Sequence, residues 1–482
     1  MVNKKTLGVA LKIKIFVFAL ILLSFQSLIF AQKDISGNWL GKLKLPGGVE
    51  LTVVFKISET EGQKYSALLD SPDQGAKDIP CGDVKIFNDS ILIDVPAVTG
   101  SFEGKIDSKS KTIYGLWKQA GNAFRLDLTY VENYTGLNRP QEPKPPFPYK
   151  TEEVLIENEK DEVYLSGTLT FPEEGENFSA VILISGSGPQ NRDEEIFGHK
   201  PFLVIADFLT RNGFAVLRFD DRGVGASTGD FSKATTFDFA NDVLAAVNFL
   251  KLRKEIDENK IGLIGHSEGG MIAQIAAVTN PSDIAFVIML AGVGIPGDEL
   301  ILLQSRIIAS LEGRPEDEIE KAMINQKKLV DLLKSNKAND EIENEIRQII
   351  SDSFSNLPDF KDESAERIKQ IVDIQIKTIM SDWYRTFLRF NPAEYLGKIT
   401  MPVLALNGEK DAQVPPKENL KAIESALIKA DNKDFKTIEL KGLNHLFQSC
   451  ETGSISEYGK IEETVSPTAL NEILIWLKEV TK

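Results

Sequence analysis

Ile261-Gly262-Leu263-Ile264-Gly265-His266-Ser267-Glu268-Gly269-Gly270 joins an apolar, strand-like run to the helical run Met271 to Val278 through a Gly-x-Ser-x-Gly pattern. The five-residue pattern alone recurs by chance, and its place between a strand and a helix is what gives it meaning. A chain that turns this sharply holds its turn residue in a strained conformation, and glycines on either side let the backbones approach. Ser267 is thereby raised above a sheet edge at the amino end of a helix, where the dipole favours developing negative charge.

A serine hydroxyl is a poor nucleophile at neutral pH, so it needs a base, and the base an orienting acid. Of the three histidines, His266 lies in the turn itself, as packing or as support for its neighbours, and His199 reads as a loop residue. His445 follows the last strand-like run, in Lys441-Gly442-Leu443-Asn444-His445, and is the candidate base. Asp411 follows the preceding run, in Asn407-Gly408-Glu409-Lys410-Asp411, and is the candidate acid, with Glu409 its competitor. Backbone N–H donors for an oxyanion are expected from Glu268, after the nucleophile, and from Ser187 in Ser185-Gly186-Ser187-Gly188-Pro189. That glycine-rich loop does not match the phosphate-cradling Gly-x-x-x-x-Gly-Lys-Ser/Thr pattern. A carboxylate at Glu268 opposes an oxyanion unless it is neutralised. Arg222 or Arg192 is the expected partner, the alternative being a solvated side chain.

Around this turn, Ala180 to Ser185, Phe214 to Phe219, Ile261 to Gly265, Ile284 to Leu290, Pro402 to Asn407 and Thr437 to Leu440 read as strands. They alternate with helical segments such as Phe202 to Asn212 and Phe237 to Leu250, which indicates an α/β fold with a parallel sheet covered on both faces. Val154 to Ile156 and Val163 to Phe171 read as an antiparallel pair at its start. Between Gly294 and Lys398 the alternation stops. Charged helical sequence follows instead, as in Glu299 to Leu311, Glu316 to Leu333 and Ala365 to Phe387. An insertion leaving the carboxyl end of a strand is expected to form a helical lid at about 295–395; a packing or oligomer-forming insert is the alternative.

Residues 32–132 are short alternating runs separated by Gly, Asp, Asn and Ser, the pattern of a small all-β, barrel-like domain. Its opening, Gly37-Asn38-Trp39, resembles the start of lipocalin-like and fatty-acid-binding barrels; a tryptophan that fills a β core is the other reading. Residues 133–150 hold Pro140, Pro143, Pro145, Pro146 and Pro148 and are expected to be an extended linker to a catalytic domain at 151–482.

Residues 1–31 have four lysines before the apolar run Ile15 to Leu23 and end at Ala31, the layout of a signal peptide cleaved after Ala31. An uncleaved membrane anchor is the alternative. Export predicts a secreted or periplasmic protein with no stable membrane association after cleavage. Removing the four lysines takes the 55 basic residues to 51 against 71 acidic, a formal charge of −20, which argues against nucleic acid and anionic membrane as partners. Cys81 and Cys450 fall in different expected domains and read as free thiols.

Residues 150–482 resemble the bacterial α/β-hydrolase esterases of the EstD type, and more broadly the dienelactone-hydrolase and serine-aminopeptidase-like group. The resemblance rests on Ser185 to Glu194, Asp220-Asp221-Arg222-Gly223-Val224-Gly225-Ala226-Ser227, the turn at Ser267, Asn407 to Asp411 and Leu443-Asn444-His445. It departs at Ser185, where many relatives carry histidine. It implies an α/β-hydrolase fold and a Ser267–Asp411–His445 triad acting on a small-molecule carboxylic ester without metal or organic cofactor. An aminopeptidase or dipeptidyl peptidase on the same fold, or a ligand-binding protein with a vestigial hydrolase, are the competing readings.

Overall fold

The computed structural model describes residues 35–482 apart from 45–49, 61–63, 75, 120–121, 135, 137 and 356–364. Residues 1–31, read above as a signal peptide, lie outside the described residues. The chain divides into two compact units, an N-terminal barrel and a larger unit built mainly from Thr135–Lys482.

In the first unit the strands are β1 (Gly37–Lys44), β2 (Glu50–Thr60), β3 (Lys64–Ser71), β4 (Ala76–Pro80), β5 (Val84–Phe87), β6 (Ser90–Val95), β7 (Gly100–Asp107), β8 (Thr112–Gln119), β9 (Asn122–Arg125) and β10 (Leu128–Val131). β10 pairs with both β1 and β8, closing β1, β2, β3, β5, β6, β7, β8 and β10 into a barrel; β4 and β9 add to it from β3 and β8. Closure removes the edges of the eight barrel strands, and β4 and β9 each pair on one side. Phe55, Phe102 and Trp117 pack together inside, beside buried Ile91, Ile93, Ile113 and Leu128. Trp39 is buried too. Its Nε1 donates to the Ile35 carbonyl at 2.8 Å, and its ring meets Tyr130 edge-on beside a cavity of about 260 Å³.

The second unit opens with an antiparallel pair, β11 (Tyr149–Asn158) and β12 (Val163–Pro172), continues with β13 (Phe178–Ile184), β14 (Ala215–Phe219), β15 (Ile256–His266), β16 (Phe286–Leu290), β17 (Val403–Gly408) and β18 (Phe435–Leu440), and forms one sheet in the order β11-β12-β14-β13-β15-β16-β17-β18. From β14 to β18 all neighbours are parallel. Alternate residues feed two cores: Ala180, Ile182 and Ile184 of β13 face one, Val181 and Leu183 the other. Helices Thr236–Lys251, Glu268–Thr279 and Pro416–Lys429 cover the first face, and Pro201–Arg211 and Pro467–Val480 the second. Both faces being buried explains why these strands are continuous apolar runs.

Between β16 and β17 the chain forms helices Gly297–Leu311, Glu316–Lys334, Asn339–Ser355, Ala365–Ile379 and Asp382–Arg389. Val330, Leu333, Ile342, Ile346, Ile350, Val372, Ile376 and Leu388 give this cap a core of its own. The sequence reads Ala365 to Phe387 as one helix. It is two, because the Ser381 hydroxyl caps a new start by accepting the Tyr384 N–H.

The proline-rich stretch before β11 is not a free spacer. Arg139 is buried and donates to the carbonyls of Phe197, Gly198, Gly459 and Ile461, and Gln141 bonds the backbone of Thr464 and Val465. Both cysteines are free and half-buried, and burial pushes the Cys81 thiol up to about 11.

Candidate active site

Ser267 leaves the end of β15 with φ 55° and ψ −117°, then starts the helix Glu268–Thr279. Strain of this kind costs a non-glycine residue about 1–3 kcal/mol and persists only where its surroundings fix it. The Ser267 N–H is held by the Leu290 carbonyl at 2.9 Å. The flanking glycines are obligatory: a Cβ on Gly265 would lie 2.1 Å from the Gly269 carbonyl oxygen, and one on Gly269 2.2 Å from that of Ile184.

His445 and Asp411 stand on the loops after β18 and β17. His445 Nδ1 lies 2.8 Å from Asp411 Oδ2, and both side chains are buried. The other carboxylate oxygen, Oδ1, accepts the backbone N–H groups of Gln413 and Val414 at 2.8 Å each, so the acid is fixed from both sides. Glu409 instead accepts the Gly442 N–H at 2.8 Å. Ser267 and His445 line one cavity of about 230 Å³, with no direct hydrogen bond between them. Gly186, Ser187 and Gln190 form its floor from the loop after β13, and Leu300, Ile301, Trp383 and Phe387 reach it from the cap. A strand-turn-helix serine, a parallel sheet and a helical cap over its carboxyl end agree with the α/β hydrolase fold model, which matches residues 180–440.

The chain belongs to the α/β-hydrolase fold family. It is 26% identical over 317 residues to the esterase EstD of Thermotoga maritima, a stretch covering 65% of this chain and 65% of EstD, just under two thirds of that relative's length. It is 33% identical over 119 residues to an acyl transferase of Shewanella hanedai, covering 24% of this chain and 37% of that one. The structure of a Pyrococcus furiosus esterase aligns at 17% identity and a TM-score of 0.43 over 73% of this chain and 100% of its own.

In this α/β-hydrolase, Glu268 is neither paired with an arginine nor solvated, contrary to both expectations from the sequence. It is 2% exposed; Oε1 accepts from Thr236 Oγ1 at 2.7 Å and Trp383 Nε1 at 2.8 Å, and Oε2 from Ser187 Oγ at 2.8 Å. Burial raises this carboxyl above its usual range, and the three neutral donors offset that only in part. The arginines are engaged elsewhere. Arg222 holds Asp242 and Asp161, and Arg192 holds Asp220 and Glu153. Arg192 thereby ties the loop after β13 to Asp220 at the end of β14.

The Gly186 N–H is taken by Glu194 Oε1 at 2.7 Å, whereas the Ser187 and Glu268 N–H groups carry no hydrogen bond among the described residues. His199 lies in a loop, as expected, but is fully buried, bonded to Thr464 and the Tyr458 carbonyl, and burial together with Arg139 pushes its pKa down to about 4. His266 bridges Glu194 and the His445 carbonyl oxygen at 2.9 and 3.0 Å.

Two residues were overlooked in the sequence. Asp221 accepts the Ser185 hydroxyl at 2.8 Å and the Gln190 N–H at 2.9 Å, and so braces the loop carrying Ser187. Glu194 braces the same loop through Gly186. Both lie within the segments that carry the family resemblance, and that is the one signal that could have found them.

Proposed function

We propose that the chain is a serine carboxylesterase hydrolysing small esters through an acyl-enzyme on Ser267. His445 takes the Ser267 proton as the hydroxyl attacks the ester carbonyl, and Asp411 keeps the proton on His445 Nδ1 before attack and balances the imidazolium after it. The N–H groups of Ser187 and Glu268 receive the oxyanion. His445 then protonates the departing alcohol. A water molecule, deprotonated by His445, releases the acid and regenerates Ser267.

The observation that carries this reading is the fixed His445–Asp411 pair facing the same cavity as a serine held in a strained turn. About 230 Å³ walled by Val293, Leu300, Ile301 and Phe387, with no Lys or Arg among its lining residues, suits a short, uncharged acyl group. A peptidase that holds a substrate amine needs an unengaged carboxylate. Glu194, the carboxylate lining this cavity, already has Oε1 bonded to Gly186 and His266, so a single oxygen remains for a substrate amine, which favours the ester reading. The signal-peptide-like layout of residues 1–31 supports an activity exported from the cytoplasm.

A panel of short and long nitrophenyl esters, feruloyl esters and aminoacyl anilides tests the proposal. Turnover highest on short esters supports it; anilide hydrolysis without ester hydrolysis overturns it. Adding a competing alcohol separates hydrolysis from acyl transfer, because a transferase forms the new ester in preference to the free acid.

A further inference from the structure

Glu194 lies eight residues beyond Gly186 in the loop after β13, yet it is 3% exposed and has φ 50°. A left-handed backbone costs a non-glycine residue about 1 kcal/mol or more, so its contacts hold it there. One oxygen, Oε1, serves two partners: the Gly186 N–H at 2.7 Å and Nδ1 of His266 at 2.9 Å. The other nitrogen of that ring is 3.0 Å from the carbonyl oxygen of His445. A carbonyl can only accept, so His266 Nε2 carries a proton. With a carboxylate at Oε1, Nδ1 carries one as well.

We propose that Glu194 and His266 form a buried carboxylate–imidazolium pair that positions the reaction centre, joining the oxyanion loop, the Ser267 turn and the His445 loop through one oxygen and one ring. The inference rests on the triad reading above. Burial alone lowers the basicity of His266, but the Glu194 charge, the two hydrogen bonds and the more distant Asp411 outweigh it and raise its pKa above the ordinary value. The small cavity on the ring's other side is lined by Phe202, Ile205, Leu290, Phe447 and Val465 and brings no charge besides Glu194. The His266 ring lies 4.8 Å from that of His445, centroid to centroid.

The pair cannot be replaced by a neutral amide without loss. In Glu194→Gln, an oxygen facing both partners needs the His266 proton on Nδ1, and a neutral ring then gives up its bond to the His445 carbonyl. An –NH₂ facing both partners strands the Gly186 N–H instead.

The chain has three histidines, so ¹⁵N NMR of the imidazoles resolves the pair directly and without turnover. His266 is expected to carry both protons at pH 7.5 in the wild type and in Ser267→Ala, and one in Glu194→Gln. Glu194→Gln is expected to lower kcat on a short nitrophenyl ester by about 10- to 100-fold, with KM within about threefold. Glu194→Asp, which keeps the charge, should restore the second His266 proton and part of the rate. A neutral His266 in the wild type at pH 7.5 overturns the proposal, whether or not the variants fold. So does Glu194→Gln with wild-type kcat. Activity that survives Ser267→Ala would instead refute the triad reading and leave the protonation state of His266 standing.

Discussion

The indole Nε1 of Trp383 donates a 2.8 Å hydrogen bond to Oε1 of Glu268, so a cap helix is tied to the residue that follows Ser267. The ring also packs against Phe387, another cap residue lining the cavity. Trp383→Phe keeps an aromatic ring there and removes the bond, worth about 1 kcal/mol. Its expected effect is a KM for short esters raised about 3- to 10-fold and faster proteolysis within the cap, read by steady-state kinetics and limited digestion. Unchanged KM and digestion would show that the cap is held by other contacts.

Glu268→Gln is expected to fold and to keep kcat within about threefold. The amide oxygen can still accept from Thr236 and Trp383, and the amide nitrogen can donate to Ser187, whose hydroxyl reorients to accept. A 100-fold loss in kcat would mean that the charge itself takes part in the chemistry.

Asp221 supplies a pH signature. Burial first, and the nearby charges of Glu194 and Asp242 after it, push its carboxyl up to about 7, against the pull of the Gln190 and Ser185 hydrogen bonds. A carboxyl whose folded pKa exceeds its unfolded value of about 3.9 binds protons preferentially in the native state. Its contribution to stability is therefore fully present below about pH 4 and is lost as pH rises through about 7. Chemical denaturation from pH 4 to pH 8 should show wild type losing more stability than Asp221→Asn over that interval. Parallel curves would contradict the assignment.

Gly269→Ala tests the turn. The added Cβ would meet the Ile184 carbonyl oxygen at 2.2 Å and that of Ser185 at 2.8 Å, both backbone atoms of the central sheet and its loop. A loss of about 3 kcal/mol or more in unfolding free energy, or failure to accumulate as folded protein, is expected. A stable, active variant would mean that the strand and helix can separate at the turn.

The parallel strands were legible because burial on both faces makes each a continuous apolar run, and the segments expected from Ala180 to Leu440 fall on β13 to β18 with ends shifted by a few residues. Less visible was β7, whose inward alternation runs through Phe102, Gly104 and Ile106. A glycine sits between the apolar residues because the Phe102 ring and Ile113 fill its space. Helix Asn339–Ser355 hides among acids and amides, and its buried stripe is Ile342, Ile346 and Ile350. In the site, Ser267, Asp411 and His445 could be picked out because each follows a recognisable strand. The surroundings of Glu268 could not. Its partners Thr236, Ser187 and Trp383 lie 32, 81 and 115 residues away, and which donor reaches a buried carboxylate depends on packing rather than on any local pattern. The same holds for Glu194 and His266, 72 residues apart.

The central claim is that Ser267 is the nucleophile, and the rate of p-nitrophenyl butyrate hydrolysis by Ser267→Ala tests it most directly. With the variant folded, as judged by circular dichroism, kcat/KM is expected to fall by about 10³-fold or more. Activity within about tenfold of wild type would contradict the account.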